Sequence, residues 1–111
     1  MGEKIFFSGN CVVDTMNQTI YRSGKTIRLS DMEFRLLVLL MNNINEPVSV
    51  KNIIRCLWGN EFNGNSEGVK VQIKKLRNRI EVEPKNPDII LSVRGRGYTI
   101  ISKSIVNPYK G

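Results

Sequence analysis

The sequence predicts an α+β domain, with a four-stranded antiparallel sheet first, three helices next and a β-hairpin last. Three observations carry this. β-Branched and aromatic runs punctuated by turn residues occupy the first third of the chain. From Ser30 the apolar spacing changes to that of helices and holds to about Glu81. Two further strand-like runs, "DIILSV" and "YTIIS", then enclose an Arg/Gly tip. With 111 residues, 41% hydrophobic and 24% charged, the chain builds one globular domain with one core.

The first strands are "KIFFSG", "CVVDT", "TIYR" and "TIRL", separated by Gly9-Asn10, Asn17 and Ser23-Gly24. Such short spacings suit a meander with tight turns. "SDMEF" then places Ser30 and Glu33 as a capping box, each side chain satisfying a backbone N–H at a helix start. The helix that follows, about Asp31–Asn42, is apolar on nearly every face and therefore central. Asn42, Asn43 and Pro47 end it. Ser49 caps a second helix running to Trp58, with Val50, Ile53, Ile54 and Leu57 at helical spacing and Gly59 as its stop.

A polar loop, "GNEFNGNS", leads to a third helix from Ser66 to about Glu81. Val69, Ile73, Leu76 and Ile80 form its core-facing stripe. Glu67, Val71, Lys74, Lys75 and Asn78 occupy the opposite face, flanked by Lys70, Gln72, Arg77 and Arg79. Pro84 and Pro87 terminate it, leaving Glu81 and Glu83 as solvated residues at a helix end. Residues 1–103 make up the domain, and 104–111 read as a linker or tail.

Charge is distributed unevenly. Residues 1–69 carry seven Lys/Arg and seven Asp/Glu, whereas 70–111 carry ten against three, so the whole net charge of +7 lies in the last segment. A one-sided basic field suits a polyanion. Catalysis finds no support: the chain has no histidine, no convincing carboxylate pair and no phosphate-cradling loop. Neither a metal site nor a cofactor is expected, because Cys11 and Cys56 lack ligand spacing. Both cysteines are read as buried, reduced thiols. The longest apolar run, "FRLLVLLM", is too short to span a membrane and contains Arg35. The N-terminus lacks a signal-peptide h-region of proper length, and the reduced thiols are consistent with a cytoplasmic domain.

The basic helix has the chemistry to read duplex DNA. An α-helix fits the major groove, where Lys and Arg donate to guanine and an apolar group such as Val71 meets a thymine methyl. In "SVRGRGYT", glycines permit close backbone approach and Arg94 and Arg96 supply charge toward phosphates or a narrow groove.

Taken in order, "EFRLL", "VSVKNIIRCLWG", "VKVQIKKLRNRIE" and "SVRGRGY" resemble the OmpR/PhoB-type winged-helix domain of bacterial transcription regulators, over about Ile5 to Ile101. The resemblance implies a winged helix-turn-helix that binds double-stranded DNA and takes no small-molecule ligand. It implies a recognition helix presenting Val71, Lys74, Lys75 and Arg77, and Lys70 and Asn78 join them as candidate DNA-binding residues by their places on the same helix. It also implies a hairpin wing whose Arg94 meets the backbone or minor groove with Ser92 as a phosphate neighbour, and Arg96 joins them by its place in the charged tip. The loop over 59–65, with Glu61 and Phe62, matches the one through which family members touch RNA polymerase, and Trp58 matches a residue packed beneath it. A homodimer on DNA is a further implied arrangement. Tyr98 is read as a core residue.

Some positions depart from the family pattern. Glu67 and Gly68 stand where many members carry a basic or hydroxyl residue; Glu67 could accept from cytosine N4 or complement the helix dipole. Gln72 replaces a common histidine. The domain lies close to Met1, an order similar to the ToxR/CadC-like group, whose cytoplasmic DNA-binding domain precedes a membrane anchor and sensor; a stand-alone small regulator is the alternative arrangement. Two other readings stay open: RNA binding, for which no aromatic platform adjoins the basic face, and a protein-interaction module on the same scaffold without DNA.

Overall fold

The computed structural model describes residues 4–59 and 66–106. Four strands, β1 (Lys4–Phe7), β2 (Cys11–Asp14), β3 (Thr19–Arg22) and β4 (Lys25–Arg28), form an antiparallel sheet in sequence order. Their register pairs Phe7 with Cys11 and Val13 with Ile20. All four side chains are buried, so one face of the sheet belongs to the core. Asn10, Gln18 and Ser23 take positive φ in the tight turns, joined by Gly9 and Gly24.

Helix α1 (Asp31–Met41) begins with the predicted capping box. The Glu33 amide donates to Ser30 Oγ at 3.1 Å, and the Ser30 amide donates to Glu33 Oε1 at 2.8 Å. Leu36, Leu37 and Leu40 are wholly buried, while Phe34, Leu39 and Met41 pack around them, as expected of a central helix. In α2 (Val50–Trp58) the Ser49 hydroxyl accepts from the Asn52 amide at 3.1 Å. The buried stripe of α3 (Ser66–Ile80) is Val69, Ile73, Leu76 and Ile80, with no substitution from the spacing argument. Trp58 lies against the start of α3, where a Cβ on Gly68 would come within 3.3 Å of its ring.

The last hairpin pairs β5 (Ile90–Val93) with β6 (Gly97–Ile100). It is tied to the α1–α2 connection by reciprocal backbone bonds, Val48 N–H to Tyr98 at 2.8 Å and Tyr98 N–H to Val48 at 3.1 Å. Tyr98 accordingly packs on the core.

Three expectations need correction. Cys11 is buried, but Cys56 is exposed. The apolar neighbours of Cys56 in sequence, Ile53 and Leu57, point inward, while Cys56 shares the outer side of α2 with Asn52 and Arg55. Glu81 is not solvated: it is 1% exposed, because the chain turns back after α3 and folds residues 88–90 over it. The segment placed beyond the domain also begins within it. Ser104 is buried, and the Ser8 amide donates to its carbonyl at 2.9 Å. The Val106 amide donates to Phe6 at 2.7 Å, so the chain covers the open edge of β1. No helix among the described residues is long and apolar enough to cross a membrane.

Candidate nucleic-acid interface

Burying one stripe of α3 forces the opposite face outward. Lys70, Val71, Lys74, Lys75 and Asn78 are all exposed. Val71 keeps 49% of its surface accessible, so an apolar group lies open among the cations of this face. Glu67 lies in the first turn and pairs with Lys70 at 3.3 Å, both side chains being well exposed. Such a pair contributes little stability and leaves both groups accessible.

Arg77 stands differently. Its Nε and Nη2 donate to the Ile90 carbonyl at 3.1 and 2.8 Å, and Nη2 also donates to Ser92 Oγ at 3.2 Å. The guanidinium lies over the Tyr98 ring, 5.8 Å from its centroid. Three of its five N–H donors are therefore committed within the domain. Beside it, a concavity of about 530 Å³ is lined by Lys70, Lys74, Lys85 and Asn78 together with Ile73 and Tyr98.

At the hairpin tip, Arg94 and Arg96 are exposed on either side of Gly95. The Arg96 amide closes the turn on the Val93 carbonyl at 2.9 Å, with Gly95 at φ +75°. Ser92 is exposed on β5 and accepts from Arg77. Thus Lys70, Val71, Lys74, Lys75 and Asn78 share one open helix face, Arg94 and Arg96 share the tip, and Arg77 and Ser92 join the two elements. Glu61 and Phe62 lie outside the described residues.

Two participants escape a linear reading. Arg79 reaches back to Glu33, Nε to Oε2 at 3.2 Å, while the Arg79 carbonyl accepts from Arg22 Nη1 at 3.0 Å. Glu81 accepts backbone N–H groups from the start of the hairpin. Arg79 pairs with a residue of α1 and Glu81 with amides seven to nine residues on, so helical spacing offers no signal for either. Among the described residues no group of His, Cys, Asp or Glu could hold a metal ion.

Residues 24–100 match the family described as "Transcriptional regulatory protein, C terminal". The chain belongs to this family, in its OmpR/PhoB type. It is 40% identical over 88 residues to the probable transcriptional regulator ycf27 of Porphyra purpurea, an alignment covering 78% of this chain and 36% of that protein. The chain thus spans just over a third of the length of such relatives. Response regulator DrrB of Thermotoga maritima, an OmpR/PhoB homolog, superposes with a TM-score of 0.74 at 28% identity, over 87% of this chain and 44% of DrrB. The RstA DNA-binding domain of Klebsiella pneumoniae, solved in complex with the RstA box, gives 0.72 at 24% identity over 89% of this chain and 97% of that one. The second likeness is one of fold. The observed winged helix, with its four-stranded sheet, three helices and C-terminal hairpin, is the architecture of OmpR/PhoB-type domains.

Proposed function

We propose that this domain binds double-stranded DNA sequence-specifically as part of a transcription regulator, with α3 in the major groove and the hairpin tip on the backbone or minor groove. The observation carrying this is the outer face of α3, where Lys74 and Lys75 flank an exposed Val71. Cations that can donate to guanine and a methyl-bearing group that can meet thymine then lie on one helix surface. Arg94 and Arg96 supply the sequence-independent attraction that fixes register on the duplex. The complex of RstA with its box supports the reading by fold.

The whole regulator's arrangement belongs to the same proposal: a cytoplasmic DNA-binding domain, polymerase contact through Glu61 and Phe62, and pairing of two copies on DNA. The deciding experiment is a titration against a duplex selected from a random pool, at several salt concentrations. With roughly 4–6 phosphates neutralised, log K should fall against log[salt] with a slope on the order of −4 to −5. A flat salt response removes the nucleic-acid reading.

A further inference from the structure

Glu81 sits one residue beyond α3 and is 1% exposed, a charge that no ion pair reaches among the described residues. Backbone N–H groups surround it instead. Asp88 and Ile89 donate to Oε1, each at 2.9 Å, while Ile89 and Ile90 donate to Oε2 at 3.1 and 2.8 Å. One turn earlier on the same edge of α3, Arg77 grips the Ile90 carbonyl and the Ser92 hydroxyl. The N–H groups and the C=O of a single stretch, 88–90, are thus held from α3 by a carboxylate and a guanidinium four residues apart.

A buried carboxylate is a poor source of net stability, because removing it from water costs about what its bonds return. It is a strong source of geometry, since a carboxylate only accepts and has four lone-pair sites to orient. The stretch it orients leads directly into β5, the first strand of the wing.

We infer that Glu81 and Arg77 are positioning residues that fix the wing at one distance and angle from α3, so that helix and hairpin tip meet DNA as a single unit. This rests on the DNA-binding reading above, and it gives Arg77 a role through the wing rather than a direct contact with bases or phosphates. The far strand β6 is held independently by Val48. Loosening the α3 side would therefore tilt the hairpin rather than release it.

The test has an arm that needs no DNA. In Glu81→Gln the amide nitrogen must face N–H donors whichever way it turns, so exchange of the Ile89 and Ile90 amides in the free protein should accelerate by about tenfold or more. Amides in the α1 core should keep their protection. Unchanged exchange at Ile89 and Ile90 overturns the clamp.

The second arm uses Arg77, whose replacement leaves the apolar core intact. Lysine keeps the charge but not the fork, so Arg77→Lys should lose duplex affinity about as much as Arg77→Ala, roughly tenfold. Combining Arg77→Ala with Arg94→Ala should cost little more than the worse single change, because both act through the wing. Wild-type affinity in Arg77→Lys, or losses that multiply in the double variant, would mean that Arg77 contacts DNA itself and would overturn the inference. Absence of binding by the wild-type protein would instead overturn the functional reading, and the exchange arm alone would then decide the clamp.

Discussion

Glu33 and Arg79 meet at 3.2 Å, joining the first turn of α1 to the last turn of α3. The Glu33 side chain is almost fully buried, whereas Arg79 is partly open. Glu33 also closes the capping box with Ser30, so one carboxylate both starts the central helix and anchors α3 on it.

Burial works against the Glu33 charge, but hydrogen bonds from Ser30 and Arg79 outweigh it and hold the carboxyl below the usual range. A carboxylate whose folded pKa is depressed contributes stability that is present above its unfolded value and lost as pH falls through the folded one. The wild-type protein should therefore weaken below about pH 4, the ordinary glutamate range. Glu33→Gln should be less stable at pH 7 by about 1–3 kcal/mol and should lose less on acidification. Urea melts at pH 7 and pH 3 check this, and parallel pH profiles for the two proteins would remove the assignment.

The two glycines of the wing serve different ends. Gly97, at φ +119°, lies so close to the Val48 backbone that a Cβ would overlap its carbonyl. Gly95 has positive φ too, but nothing within 4 Å of where a Cβ would stand. Gly97→Ala should cost about 2–4 kcal/mol by combining steric overlap with a left-handed backbone. Gly95→Ala should cost about 1–2 kcal/mol, the backbone term alone. Gly95→Val should reduce DNA affinity per folded molecule more than it reduces stability, since the strained turn carries Arg94 and Arg96. Thermal melts beside binding titrations of the same variants separate these effects. Equal destabilisation by the two alanine changes would refute the distinction.

What was legible in the sequence was whatever repeats along an element. The stripe of α3 could be read at each position, and so could Ser30, Glu33 and Ser49 as caps, because helix periodicity and capping are local physics. Glu81 could not be read in this way. Its partners lie seven to nine residues on, across a turn whose path depends on where β5 docks. Arg77 looked like its exposed neighbours because composition does not distinguish a lysine reaching solvent from an arginine reaching a carbonyl. Cys56 shows the same limit in reverse, being apolar in sequence context yet on the outer side of α2.

The cysteines supply a simple check on that placement. Burial, partly offset by Arg22 and reinforced by Glu81, pushes the Cys11 thiol up to about 11. It is therefore both inaccessible and protonated at neutral pH, and the thiolate is the reactive form. Alkylation of the native protein near pH 8 should label Cys56 and leave Cys11 untouched, with both labelled in denaturant. Mass spectrometry of the intact protein counts the labels. Rapid labelling of Cys11 in the native state would contradict its position between β1 and β3.

Lys75 and Arg94 separate reading from holding. Lys75 is exposed on the outer face of α3, and Arg94 is exposed at the hairpin tip; under the proposed function the first would meet base edges and the second phosphate or sugar. A good base contact discriminates against the wrong base by about 1–3 kcal/mol, whereas a phosphate contact carries no sequence information. Lys75→Ala should thus lose affinity for a selected duplex while changing little on random DNA, narrowing the ratio between them. Arg94→Ala should weaken both duplexes nearly equally and reduce the salt slope by about one. Both residues are exposed, so neither change should disturb the core, and a melt of each variant verifies that the comparison is between folded proteins. If the two variants lose equally on selected and random duplexes, α3 is not the element that reads sequence, and its exposed Val71 would need another explanation.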